Sequence, residues 1–330
     1  MLLLGLALAW AIHVSGRSQR GALLAGEVEE IARAVELRMA QNVSVLRAVK
    51  ALFELEPQRM TRERFAQFVS KIDLAHAYPG MRGVGFAARI PLGAEEAAVR
   101  RFELPRPVHP DTTQTVRAPV SLLEPRDARN EAALGFDMYS EPTRRAAMIE
   151  AEASDQPVAT APVVLRQEIT EDVQNGFLVY LATRDAQGGV EGFAYAPFRI
   201  GELLSDAGLR RLIDRYAVRL DDVTGEAPMT LYASALAGAG SREAAAEVQI
   251  AARRWRISIG AVKNAAWTET LRPLGVAALA LILASLVAAA YRDQQRAQEI
   301  ESALAAERLK ALSEREVLLQ EMNHRIKNAI

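Results

Sequence analysis

The sequence predicts an α+β fold held between two membrane-spanning helices and followed by a cytoplasmic helical coiled coil. Three observations predict it. Two apolar runs, 1–14 and 273–291, bracket a long stretch of mixed polarity. Within that stretch, period-two alternation and helical spacing follow one another without a repeat, which favours antiparallel sheets with segregated helices. After the second run, residues 292–330 contain neither proline nor glycine.

The second run is the stronger membrane signal. Leu274–Tyr291 reads LGVAALALILASLVAAAY, with Ser285 its one clearly polar side chain before Tyr291. A span needs about 20 apolar residues. Trp267 and Tyr291 flank the run as interfacial aromatics do, and Arg292 and Arg296 follow on the side expected to be cytoplasmic. The first run, Met1–Val14, is short, contains His13 and lacks a basic leader. A signal peptide is the rival reading. The expectation is a first transmembrane helix whose start is missing. Residues 15–270 are then periplasmic, and the protein is multi-pass in the bacterial inner membrane.

Composition narrows the function. The 330 residues allow about two domains. Half are hydrophobic and a quarter charged, enough to build a core. With 40 basic and 41 acidic residues the net charge is −1, which gives no argument for nucleic acid. The absence of cysteine excludes disulfides, Cys-ligated zinc and thiol catalysis, and leaves the compartment open.

Along the chain, Leu24, Val28, Ile31 and Val35, then Val45, Val49 and Leu52, recur at threes and fours, so Gly21–Phe53 reads as a long stalk helix. Thr61 opens a second helix with Phe65, Phe68, Val69 and Ile72 on its apolar face. Tyr78-Pro79-Gly80 is a turn, after which Val84, Phe86 and Ala88 alternate as a half-buried strand. Residues 105–125 read as loop and edge strand. A helix to about Ser154 follows, with Ser140 as its expected N-cap and Pro142 in its first turn. Val163–Leu165, Phe177–Leu181 and Gly192–Tyr195 read as strands. Leu203–Tyr216 reads as a helix, Met229–Tyr232 and Val248–Ile250 as strands, and Ala233–Ala246 as a loop with a weak helix. Trp255, Ile257 and Ile259 mark a last strand.

Residues 292–316 form a linker; Leu312 within it and Leu319 and Ile326 beyond it lie seven apart. Leu309 and Ile330 extend this seam, and Glu316 and Asn323 interrupt it. A dimeric coiled coil is expected. On that seam His324 sits one position past an a site and faces solvent. Glu321 lies one turn before it and Asn328 one turn after, on its face. Glu321 can orient the ring or accept its proton, and Asn328 can position phosphate oxygens. Arg325 and Lys327 point away.

The run Glu321-Met322-Asn323-His324-Arg325-Ile326-Lys327-Asn328 resembles the H-box of HWE/HisKA_2 histidine kinases. Arg325, where the larger HisKA family is usually acidic, points to that branch. The resemblance implies that His324 is the phosphoacceptor and that ATP is the phosphodonor, bound by a downstream domain. A response-regulator aspartate is then the acceptor, and residues 317–330 begin a dimerisation domain that continues past Ile330.

Between the apolar runs, Tyr78-Pro79-Gly80 with Gly83-Val84-Gly85-Phe86, Leu123-Glu124-Pro125, Ala133–Met138 with Arg144-Arg145, Ala161-Pro162-Val163 and Gly192–Arg199 resemble a CHASE sensor domain in order and spacing. The resemblance implies a stalk helix and two PAS-like subdomains, the membrane-distal one holding a small organic ligand. Plant relatives use an aspartate in the stretch corresponding to Leu134–Met138 to hold a planar adenine-type, cytokinin-like ligand, so Asp137 carries over. The expected walls are Phe86, Ala159, Thr160, Phe177, Val179 and Tyr195. The alternative for Asp137 is a cap on the backbone N–H groups that follow it. No metal is expected: His76 and His109 lack ligand spacing, and no phosphate-cradling glycine loop or nucleophile elbow is present. The rival readings are a CHASE-linked diguanylate cyclase and a chemoreceptor-like binding protein.

Overall fold

The computed structural model describes residues 2–56, 59–164, 175–205, 207–234, 236, 244–260 and 266–327. Residues 19–265 form one compact unit, and residues 1–18 with 266–330 form another.

The first helix, α1 (Leu2–Leu55), is continuous. Its face Leu24, Val28, Ile31, Val35, Met39, Leu46, Val49 and Phe53 is buried, so the threes-and-fours pattern is the packed stripe of the stalk. Thr61 caps α2 (Arg62–Ser70) by accepting from Arg64 N. After α3 (Leu74–Ala77) come β1 (Val84–Ala88), β2 (Ile90–Pro91), α4 (Glu95–Phe102), β3 (Val116–Arg117), β4 (Val120–Glu124) and α5 (Ala128–Ala133). A 3-10 turn, Met138–Ser140, leads into α6 (Pro142–Ser154). Then follow β5 (Val158–Ala159), β6 (Val163–Val164), β7 (Asn175–Arg184), β8 (Val190–Arg199), α7 (Ile200–Leu203), α8 (Ala207–Arg215), β9 (Ala217–Asp222), β10 (Met229–Ala233), β11 (Ala244–Ile250) and β12 (Arg253–Gly260).

The larger sheet runs β4-β1-β8-β7-β5, with β6 also on β7, and the smaller runs β10-β9-β12-β11. The pairings are antiparallel. A tight hairpin at Ala251-Ala252 joins β11 to β12, and the Ala251 carbonyl accepts from Ala159 N at 2.7 Å, docking the smaller sheet on the edge of the larger. Phe177 and Trp255 meet edge to face across the same joint, with centroids 5.0 Å apart.

Polar contacts tie the stalk to the larger sheet. Lys50 Nζ on α1 donates to Asp155 Oδ1 at 2.8 Å and to the Ala182 carbonyl at 2.7 Å. Glu54 accepts from Arg184 N at 2.9 Å.

Several sequence expectations are corrected. Ser140 does not cap α6: it closes the 3-10 turn, and Glu141 caps the helix by accepting from Thr143 N and Arg144 N. β1 is buried throughout rather than on alternate residues, because helices and sheet enclose both its faces. The helix expected over 203–216 is α8, shorter at its start, and a separate short helix, α7, precedes it. The end of the Ala-rich segment is strand β11, while 235 and 237–243 lie outside the described residues. Leu165 also lies outside them.

The second unit contains α9 (Ala266–Lys327). Among the described residues, one stretch, Leu274–Leu319, is long and apolar enough to cross a membrane. Its apolar side chains, such as Leu279, Ile282 and Leu286, are exposed.

Candidate ligand-binding site

Strand alternation gives the larger sheet two faces, and neighbours across a pairing share a face. Phe86 pairs with Ala194, Val179 with Ala196 and Phe177 with Phe198, so these lie on one face, joined by Ala159 beside Val179. Tyr195 pairs with both Gly85 and Tyr180, so the tyrosines share the other. The expected wall residues therefore do not meet in one pocket. The first face is a packed core: Phe86 stacks on Phe53 of α1 at 3.7 Å, and Phe177 is sandwiched between Phe198 and Trp255. Thr160 serves the strands, donating N–H to the Leu178 carbonyl and accepting Leu178 N on its hydroxyl.

The second face is more polar. The 3-10 turn and α6 cover it. Tyr180 Oη donates to Met138 Sδ at 3.0 Å, and the Tyr139 ring lies 6.4 Å from Phe193. Arg144 is buried on α6, its guanidinium 5.3 Å above the Phe136 ring. Burial pushes both tyrosine hydroxyls up, and the Arg144 charge pulls them down, which places that charge within reach of both. Tyr195 Oη is buried and has no hydrogen-bond partner among the described residues.

Asp137 enters this region from the side. It is wholly buried, and its Oδ1 accepts from Ala118 N at 2.8 Å and Tyr139 N at 3.0 Å. It thus caps the 3-10 turn and pins the start of the β4 segment. Its Oδ2 has no hydrogen bond among the described residues and lies 3.9 Å from Arg117 Nε. Burial raises its carboxyl above the usual range, against the lowering effect of the two N–H groups and Arg117.

Arg117 was not singled out by sequence, because one arginine in a Pro- and Thr-rich loop carries no pattern. Its side chain is 5 % exposed. Nε lies 3.2 Å from Glu95 Oε1 without hydrogen-bond alignment, and Nη2 lies 3.7 Å from Asp111 Oδ1. Glu95 is raised by burial, but the backbone N–H groups of Glu95 and Gly93, with Arg117, hold it below the usual range. Arg117, Glu95 and Asp111 line a groove of about 890 Å³ between α4 and the segment 104–112, with Leu92, Val99, Leu104 and Val108 as its apolar walls. The groove thus presents the buried Arg117 cation, with the buried carboxylate of Asp137 directly behind it.

The run 321–328 that resembles an H-box lies on the second unit. Glu321 and His324 fall one turn apart near the end of α9, and Asn328 lies outside the described residues.

The chain thus combines two antiparallel sheets with a long N-terminal helix. The periplasmic sensory domain of the Campylobacter jejuni chemoreceptor Tlp1 shares this fold at a TM-score of 0.51 and 10% identity, over 74% of this chain and 95% of that one. The chain belongs to the CHASE domain family, whose model matches residues 58–232. The ligand-binding domain of the Pseudomonas aeruginosa PAO1 chemoreceptor PctC, in complex with GABA, aligns at a TM-score of 0.46 and 14% identity, over 74% of this chain and 98% of that one. No curated protein sequence matches the chain.

Proposed function

We propose that the chain is the sensing and transmitting part of a membrane-bound sensor histidine kinase of the HWE/HisKA_2 type. The sensing half rests on one observation: Arg117, which lines the groove, has its buried Nε 3.9 Å from the buried Oδ2 of Asp137 behind it, and among the described residues neither atom is hydrogen-bonded. Unpaired buried polar atoms are costly, and a ligand presenting an acceptor beside a donor satisfies both at once. The N–H and ring nitrogen on one edge of an adenine-type heterocycle are such a pair. Each charged hydrogen bond contributes roughly 1.5–3 kcal/mol. In this reading the two sheets are PAS-like subdomains, the larger one distal to the membrane, and residues 15–270 are periplasmic.

The output half rests on the H-box. His324 takes a phosphoryl group from ATP held by a domain outside this chain and passes it to a response-regulator aspartate. Leu309, Leu312 and Leu319 are exposed on α9 and form the seam of a homodimer. Signalling requires the ligand to bind two states unequally.

Titration calorimetry of the full chain in nanodiscs, with adenine and N6-substituted adenines, tests the sensing half. Asp137→Asn keeps an oxygen for Ala118 N and Tyr139 N, so the melt of the free chain should be little changed. Affinity should fall about tenfold or more, as expected for one charged hydrogen bond. Equal affinity in the variant removes Asp137 from the site. For the output half, the chain is incubated with the kinase's own catalytic domain and ATP. Acid-labile phosphate should appear on the parent and vanish with His324→Gln; normal labelling of the variant rejects the assignment.

A further inference from the structure

A second cavity, of about 410 Å³, lies where the larger sheet hands over to the smaller one, enclosed by α7, α8 and β10. Its walls belong to different sheets. α7 follows directly on β8 and is bolted to the larger sheet: Glu202 is held by Arg82 at 3.2 Å and by Arg199 at 3.1 Å. Gly80 is pressed against it, and a Cβ there would lie 2.6 Å from Leu203 N. The opposite wall moves with the smaller sheet. Ser234, just past β10, is tied to β9 by two hydrogen bonds with Val218, one accepted by its hydroxyl at 3.0 Å and one donated by its N–H at 2.9 Å.

The lining has two characters. Leu204 and Ile213 are buried and, with Leu236, give it an apolar body. Arg210 and Asp214, one turn apart on α8, set opposite charges at its rim. They are 3.8 Å apart and 66% and 67% exposed. So exposed and long an ion pair holds itself together weakly, which leaves both charges to a ligand at little cost. Burial raises the Tyr232 hydroxyl, with Arg210 lowering it and Asp214 raising it, so the hydroxyl lies within the field of both.

We propose that this cavity is a second small-molecule site, for a compact zwitterion with an aliphatic body, such as a free aliphatic amino acid. The carboxylate sits on Arg210, the ammonium on Asp214, and the hydrocarbon part on Leu204, Ile213 and Leu236. A plain anion would face Asp214, and a plain cation would face Arg210, so the pair selects against both. The volume falls at the lower end of small-molecule pockets, about 300–1,000 Å³. Because α7 belongs to one sheet and α8 and β10 to the other, an occupant bridges the two. The proposal does not rest on the groove at Asp137.

The test is calorimetric titration of the full chain in nanodiscs with L-leucine, L-isoleucine and L-valine. 4-Methylpentanoate, which lacks the ammonium, and 3-methylbutylamine, which lacks the carboxylate, are the comparison ligands. At least one amino acid should bind saturably, and each comparison ligand should bind about tenfold or more weakly. Arg210→Gln and Asp214→Asn should each weaken the amino acid about tenfold or more. Both positions are on the surface, so the variants should melt as the parent does. Three outcomes overturn the proposal: no binding of any of the three, affinity unmoved by both variants, or affinity lost in Asp137→Asn but kept in the α8 variants.

Discussion

Removing one oxygen atom should make this protein more stable. Tyr195 is buried and its Oη has no partner among the described residues. A buried hydroxyl without a hydrogen bond costs roughly 1–3 kcal/mol relative to water. Tyr195→Phe removes that cost and keeps the ring over Gly85. The small void left behind offsets part of the gain, for a net stabilisation of about 1 kcal/mol. For a body of this size that raises Tm by about 2–4 °C. Tyr180→Phe is the matched control. Its hydroxyl is equally buried but donates to Met138 Sδ, so its removal should cost about 0.5–1.5 kcal/mol. The two rings are neighbours, 6.1 Å apart, yet their variants should shift Tm in opposite directions. Differential scanning calorimetry of the full chain in nanodiscs reads both. A Tyr195→Phe protein less stable than the parent by 1 kcal/mol or more would show that the hydroxyl is satisfied and refute the reasoning.

Two further perturbations probe the same sheet and its tie to the stalk. A Cβ on Gly85 would clash with the Leu122 carbonyl oxygen and lie 2.7 Å from the Tyr195 ring. A backbone carbonyl cannot rotate away, so Gly85→Ala should cost about 1–3 kcal/mol or more, and an unchanged melt would contradict the packing described. Asp155 is held below its ordinary value of 3.8 by its hydrogen bond from Lys50 and by the Lys50 and Arg184 charges, against burial. A lowered carboxyl contributes stability above its unfolded pKa and loses it as pH falls through the folded one. The stability gap between the parent and Lys50→Met, measured by urea unfolding, should therefore be full near neutral pH and shrink as pH drops below 3.8; a gap independent of pH would exclude the linkage.

The sequence discloses elements wherever their period is clean. The α1 stripe, the Thr61 cap and the Trp255, Ile257 and Ile259 alternation all follow from spacing. α4 was not anticipated, since Glu95-Glu96 and Arg100-Arg101 mask its short apolar face of Ala98 and Phe102. β9 was missed for a related reason: Asp221 and Asp222 look like loop residues. They are buried because Arg219 holds one at 2.8 Å and Arg253 holds the other at 2.5 Å. The candidate site was legible only at Asp137. The other expected residues were assigned to strands without a register, and a change of one residue in register moves a side chain to the opposite face. Phe86 and Tyr195 fell on opposite faces for that reason. Arg117 became visible only when folding brought it to Asp137 and Glu95.

The two faces also differ in what they can transmit. On the first, the Phe53–Phe86 stack and the Phe177–Trp255 contact are close-packed between the stalk, the larger sheet and the smaller one. Such interiors resist displacement. On the second, α6 starts beside the Asp137 turn and places Arg144 in the field of the tyrosine hydroxyls. It ends about 20 Å on, at a rise of about 1.5 Å per residue. There Asp155, its C-cap, accepts from Lys50 of α1. Coupling between two places needs an element that has two arrangements and whose equilibrium both places bias. α6 meets the geometric half of that condition, because it begins just after the Asp137 turn and ends at the stalk helix. Lys50 is only 18% exposed and also donates to Ala182 O, so it can hold an end where a lone surface ion pair would slip. The polar face thus has a direct covalent and hydrogen-bonded route from the Asp137 turn along α6 to α1, which the aromatic face lacks.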